Sequence, residues 1–212
     1  MKTTIQYSPA EELASGISHG LGAALAIAGT VWLLLVAVPT AHAAAIAGFG
    51  VFGLSLFVLY FMSTMYHLLP LGGAKRVFKV LDHASIYLLI AGSYTPFSLL
   101  VLGGATGWLV FGVIWLIALT GISLEAFWVN RSKIVSAVIY VGMSWFIIFF
   151  IGPLAAALGP TGLAWLLLGG AFYTLGAVIY ALKRIPWHHP VWHLFVLGGS
   201  FCHFLAVLSI RI

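Results

Sequence analysis

The chain has 212 residues, of which 63% are hydrophobic and only 6% charged. A soluble domain carries about 25% charged residues, so this composition excludes a soluble fold and indicates an integral membrane protein. The net charge of +5 does not indicate nucleic-acid binding, because its basic residues flank apolar segments and form no face outside the bilayer.

Residues 1–16 are read as a cytoplasmic N-terminal segment. This stretch contains Pro9, Glu11 and Glu12 and lacks a leading apolar run, so it is not read as a signal peptide. Seven apolar segments follow, at roughly 17–38, 44–69, 80–101, 107–126, 133–152, 161–182 and 190–210. Each is close to the roughly 20 residues that cross a bilayer as a helix. Turn residues separate them: Pro39-Thr40, Gly72-Gly73, Gly103-Gly104, Asn130-Arg131, Gly159-Pro160 and Ile185-Pro186. The expected fold is all-α, a polytopic single domain over 1–212 with seven transmembrane helices.

The basic residues give that bundle a direction. Lys2 precedes the first segment, and Lys75, Arg76 and Lys79 lie between the second and third. Arg131 and Lys133 lie between the fourth and fifth, and Lys183 and Arg184 between the sixth and seventh. Only Arg211 falls on the opposite side. The positive-inside rule therefore puts the N-terminus in the cytoplasm and the C-terminus outside. The expected location is the cell inner (plasma) membrane, as a multi-pass protein in contact with lipid. Cys202, the one cysteine, lies within the last segment and allows no internal disulfide or Cys-rich metal site.

Against this apolar background the ionisable residues stand out, since a buried charge in a bilayer needs a partner or a function. His67 closes the second segment in Ser63-Thr-Met-Tyr-His67, and His189 and His193 open the seventh. Asp82 opens the third. With seven crossings, all four fall at the cytoplasmic side. Imidazole suits zinc, and three protein ligands with one open position are the usual form of a catalytic zinc site. Ser63 and His67 are one helical turn apart and share a face, as do His189 and His193. Each also has a plainer reading. Ser63 could bond back to its own helix, His67 could be an interfacial residue, and Asp82 could be a charge favoured at a helix N-terminus. Pro190 disfavours helical backbone at His189 unless the helix starts near Trp187. His203, ten residues beyond His193, lies about 15 Å deeper and is expected not to share a metal with it. His42 is placed on the external side, and His83 and His188 project away from the cluster.

Four ordered stretches resemble the hemolysin III family, the bacterial branch of the progestin and adipoQ receptor (adiponectin receptor-like) membrane proteins. They are Glu11-Glu-Leu-Ala-Ser-Gly-Ile-Ser-His19-Gly, Ser63-x-x-x-His67, the run from Asp82 to Phe97, and His189-x-x-x-His193 followed by the run from Gly198 to Phe204. The resemblance implies seven helices with a cytoplasmic N-terminus and a zinc ion near the cytoplasmic face. It implies zinc binding by His67, His189 and His193, with Asp82 holding a zinc-bound water and Ser63 nearby. The wider superfamily includes alkaline ceramidases, which hydrolyse a lipid amide.

Two function classes share this site: a zinc-dependent lipid amide or ester hydrolase, and a non-enzymatic regulator of membrane lipid or energy state with structural zinc. A transporter or cytolytic pore, with Glu12, His19 and Glu125 as relay residues, fits less well. A relay needs polar groups through the bilayer, whereas here they cluster at one side.

Overall fold

The computed structural model describes residues 7–182 and 186–212, so Lys2, Lys183 and Arg184 lie outside the described residues. Its helices are α1 (Pro9–Ala37), α2 (Ala43–Leu68), α3 (Gly73–Pro96), α4 (Gly104–Trp128), α5 (Lys133–Trp145), α6 (Ile151–Ala181) and α7 (His188–Leu208). Among the described residues there is no strand. Six helical stretches are long and apolar enough to cross a membrane.

The fifth of these is the continuous run Lys133–Ala181, 49 residues long. A straight helix of that length would reach about 74 Å at 1.5 Å per residue, more than twice the roughly 30 Å hydrocarbon thickness. The run is not straight. Gly159 leaves helical geometry at φ 67° and ψ 179°, immediately before Pro160. Only glycine takes that backbone conformation without penalty. Beyond the break the chain returns on itself, because the Trp145 indole N–H donates to Thr174 Oγ1 at 2.8 Å.

Two helices start earlier than their apolar stretches. The first apolar segment begins near residue 17, but α1 begins at Pro9. Ser8 caps it: its hydroxyl accepts from Glu11 N–H, and the Glu11 carboxylate accepts from Ser8 N–H. This reciprocal capping, with Pro9 in the first turn, sets the helix start independently of hydrophobicity. Likewise α3 begins at Gly73, so Lys75, Arg76 and Lys79 are on the helix and not in a loop. Asp82 therefore sits in its third turn, too far from the end to be an N-terminal dipole charge. His42 lies away from the other histidines and caps α2, accepting from Ala45 N–H at 3.3 Å.

The helices pack around a core of Leu33, Phe49, Phe52, Leu56, Leu154 and Val207. Other large apolar residues, such as Leu35, Phe127 and Phe149, point outward as a lipid-facing surface requires. The helix α3 belongs to the most enclosed of the spans. Helices α1, α2 and α7 meet closely at Gly22, where a Cβ would come within 2.7 Å of the Tyr60 ring and 2.9 Å of Leu197. This close contact brings the start of α1 against the His-bearing ends of α2 and α7.

Candidate metal centre

His67 is in the last turn of α2, while His189 and His193 occupy the first two turns of α7. Pro190 falls within the first turn of α7, where its missing N–H is not needed. His189 is therefore helical, and one turn separates it from His193 on the same face. The ring nitrogens converge. Nε2 of His189 lies 3.0 Å from Nε2 of His67 and 3.1 Å from Nε2 of His193. All three side chains are buried. Among the described residues, no other group of three or more His, Cys, Asp or Glu is close enough to hold a metal.

The opposite ring nitrogens are also held. His67 Nδ1 faces Glu12 Oε2 at 2.6 Å, and Glu12 Oε1 pairs with Lys75 at 3.2 Å. His193 Nδ1 faces the Ser15 carbonyl at 3.2 Å, with Ser18 Oγ at 3.5 Å. His189 Nδ1 is 3.2 Å from the Tyr7 phenol, whose oxygen accepts from Lys133 at 2.8 Å. Burial holds the Tyr7 phenol well above its ordinary pKa, so it stays neutral.

Glu12 and the Ser15 carbonyl can only accept hydrogen bonds. They place a proton of His67 and of His193 on Nδ1, so that in the neutral ring the Nε2 lone pair is the one that can bind a metal. Lone pairs aimed at one point repel unless a cation lies between them. Tetrahedral zinc with Zn–N near 2.0–2.1 Å needs its nitrogens about 3.3–3.4 Å apart, close to the spacing here. The donor set fits zinc or a similar divalent ion.

Of the other expected site residues, Asp82 and Ser63 both line the cavity that opens beside the histidines. Neither belongs to the converging ligand set. Ser63 Oγ is buried and neighbours the Asp82 carboxylate. The cavity has a volume of about 100 Å³ and extends from His19 and Asp82, past Phe97 and Trp145, to His203. Most of its lining is apolar.

The structure separates the remaining ionisable residues by role. His19 lies stacked against His193. His203 lines the cavity and meets Tyr173 edge-on. Glu125 is remote from the cluster and pairs with Arg131 and with His83 Nδ1, the latter at 3.3 Å. It ties α3 to the turn between α4 and α5. His188 Nε2 lies 3.2 Å from Lys133 Nζ, and its ring is 5.8 Å from that of Tyr7.

Three site residues were not recognised as such in the sequence: Tyr7, Ser15 and, as a partner of His67, Glu12. Glu12 carried a signal, an acidic residue among apolar ones near the same membrane face. Ser15 carried none, because it acts through its carbonyl.

Comparison with known proteins decides the family. The model for haemolysin-III-related proteins matches residues 7–204. The chain belongs to the haemolysin-III family. Hemolysin-3 of Bacillus cereus is 42% identical over 198 residues, covering 93% of this chain and 90% of that relative. The hemolysin-3 homolog of Bacillus subtilis is 41% identical and covers 93% of each. Human monocyte to macrophage differentiation factor is 29% identical over 164 residues, 74% of this chain and 67% of the relative. No solved structure matches. This haemolysin-III-related chain is thus a multi-pass membrane protein.

Proposed function

We propose that this protein is a zinc-dependent hydrolase of a lipid amide or ester, with its site near the cytoplasmic face of the plasma membrane. The observation that carries the reading is three converging Nε2 atoms, with His189 and His193 lining an apolar cavity that Asp82 and Ser63 also line. Three protein ligands with a position left open suit catalysis, whereas structural zinc normally takes four.

The chain is read as crossing the bilayer seven times, with its N-terminus in the cytoplasm. The length of the Lys133–Ala181 run and its break at Gly159 support two crossings there. Lys75, Arg76, Lys79, Arg131 and Lys133 then share the cytoplasmic side.

When bound, zinc would lower the pKa of water toward 7 and polarise a carbonyl. The protein supplies the rest. The apolar lining takes a hydrocarbon chain entering sideways from the membrane. Asp82 accepts a proton from the attacking water as its oxygen adds to the carbonyl carbon. The C–N or C–O bond then breaks, and Asp82 returns the proton to the leaving nitrogen or oxygen. Ser63 Oγ donates a hydrogen bond to the carbonyl oxygen or the water.

The runner-up is a regulator that keeps the same zinc without turnover. A pore, the activity that the name hemolysin-3 suggests for the relatives, is disfavoured by ionisable groups gathered at one end of the bundle. The test compares the membrane lipids of cells making the wild-type protein or His193→Ala at equal levels. A shift in one lipid class toward free acid and amine or alcohol, seen only with wild type, is expected. Identical profiles would count against hydrolysis.

A further inference from the structure

The three outward-facing Nδ1 atoms belong to two helices, yet all of their partners come from one short stretch. Tyr7 meets His189, Glu12 meets His67 and the Ser15 carbonyl meets His193. These three residues precede, begin and continue the first turns of α1. Glu12 and Ser15 are three apart and lie on one face of that helix. The Ser8–Glu11 cap fixes where the helix starts and hence where this face points. Two lysines from elsewhere in the bundle secure the stretch, Lys75 on Glu12 and Lys133 on Tyr7.

We propose that Tyr7, Glu12 and Ser15 form a single outer clamp that holds all three metal-binding histidines and sets the tautomer of His67 and His193. The metal affinity of the centre is thereby controlled from the N-terminal end of α1. This rests on the zinc reading above and adds to it a part of the chain that binds no metal itself.

A ligating imidazole must present a lone pair at Nε2, so its proton must sit on Nδ1. An acceptor at Nδ1 selects that form and holds the ring plane. Glu12 and the Ser15 carbonyl select it outright, since neither has a hydrogen to give. At His189 the Tyr7 hydroxyl, whose oxygen accepts from Lys133, hydrogen-bonds Nδ1 and holds the ring in place. Shifting the start of α1 would disturb all three imidazoles together. The clamp is therefore a single point through which events at the N-terminal segment reach the centre. Glu12 is a positioning residue in this arrangement and does not touch substrate.

The test uses the full-length protein in detergent and measures zinc affinity by competition with a chromophoric chelator. Outer-shell partners of metal-binding histidines typically contribute roughly 10–100-fold in affinity. Glu12→Ala and Tyr7→Phe should each weaken zinc binding within that range. Leu13→Ala is the control: Leu13 lies on α1 between Glu12 and Ser15, but its side chain is exposed and belongs to neither the cap nor the clamp. It should bind zinc as wild type does. A second readout is the nitrogen-15 spectrum of histidine-labelled, zinc-free protein. His67 should carry its proton on Nδ1 in wild type and become a mixture of tautomers in Glu12→Ala.

Wild-type affinity in both Glu12→Ala and Tyr7→Phe would overturn the clamp, as would an equal loss in Leu13→Ala. An unchanged His67 tautomer in Glu12→Ala would overturn it as well. A wild-type protein that binds no zinc would instead overturn the zinc reading itself, and the two failures are thereby distinguishable.

Discussion

The His19 ring lies flat on that of His193, with centroids 3.5 Å apart and planes 9° from parallel. The Tyr60 edge closes the far side at 5.0 Å. His19 is thus a fourth imidazole at the centre that supports a ligand by stacking and is not one of the converging set. His19→Phe should keep about one zinc per chain, as a single three-histidine site implies. His19→Ala should lose the stack, worth about 0.5–1.5 kcal/mol beyond area burial, and melt at a lower temperature. Loss of zinc in His19→Phe would make His19 a ligand and refute this assignment.

Ligand roles divide the histidines more sharply. His67→Ala and His193→Ala should each lose most of the zinc, because two imidazoles seldom retain it. His203→Ala should keep it, since His203 sits beside Tyr173 and away from the converging nitrogens. Elemental analysis of purified protein decides, and equal metal in all three variants would eliminate the site.

Glu125 tests the opposite expectation. Its carboxylate is fully buried and paired with Arg131, whose side chain is also nearly buried. Removing one partner of a buried pair leaves the other charge uncompensated, at a cost of about 3–5 kcal/mol. Glu125→Ala should therefore melt well below wild type yet bind a normal complement of zinc when folded at low temperature. Normal stability would show that the pair is dispensable.

The histidine cluster was legible because an apolar chain leaves few places for an imidazole, and His189 and His193 carry helical spacing. Asp82 was placed at a helix start, whereas α3 begins nine residues earlier, at Gly73. Hydrophobicity falls at Lys75, Arg76 and Lys79, although lysine and arginine continue a helix readily. The contacts of Tyr7 and Ser15 were not legible. They join residues 182 and 178 positions apart, and a carbonyl acceptor imposes no residue type. The break at Gly159-Pro160 was legible, because both residues interrupt a helix for local steric reasons.

Topology follows from that break. If the Lys133–Ala181 run crosses twice, the two ends of the chain lie on opposite sides of the membrane. An N-terminal fusion to a reporter active only in the cytoplasm should work, and so should a C-terminal fusion to one active only outside. Both ends on one side would require an even number of crossings and would remove the seven-helix arrangement.

Asp82 separates hydrolase from regulator. It lines the cavity beside His189 and His193 and is not one of the three converging groups. Asp82→Asn keeps the size of the side chain and removes its capacity to take up a proton. If the carboxylate serves as the base, the variant should hold zinc at about the wild-type level. Its turnover of a lipid amide or ester should fall by about 10²–10⁴-fold, the usual contribution of a positioned acid–base group. Ser63→Ala should retain zinc and lose less activity, because it removes one hydrogen bond and no proton acceptor. The measurement is release of free fatty acid from lipid by zinc-loaded protein in vesicles. Turnover by Asp82→Asn equal to wild type would remove Asp82 from the chemistry. No turnover by wild type, with zinc present and a membrane phenotype intact in the variant, would assign the metal a structural role in a regulator.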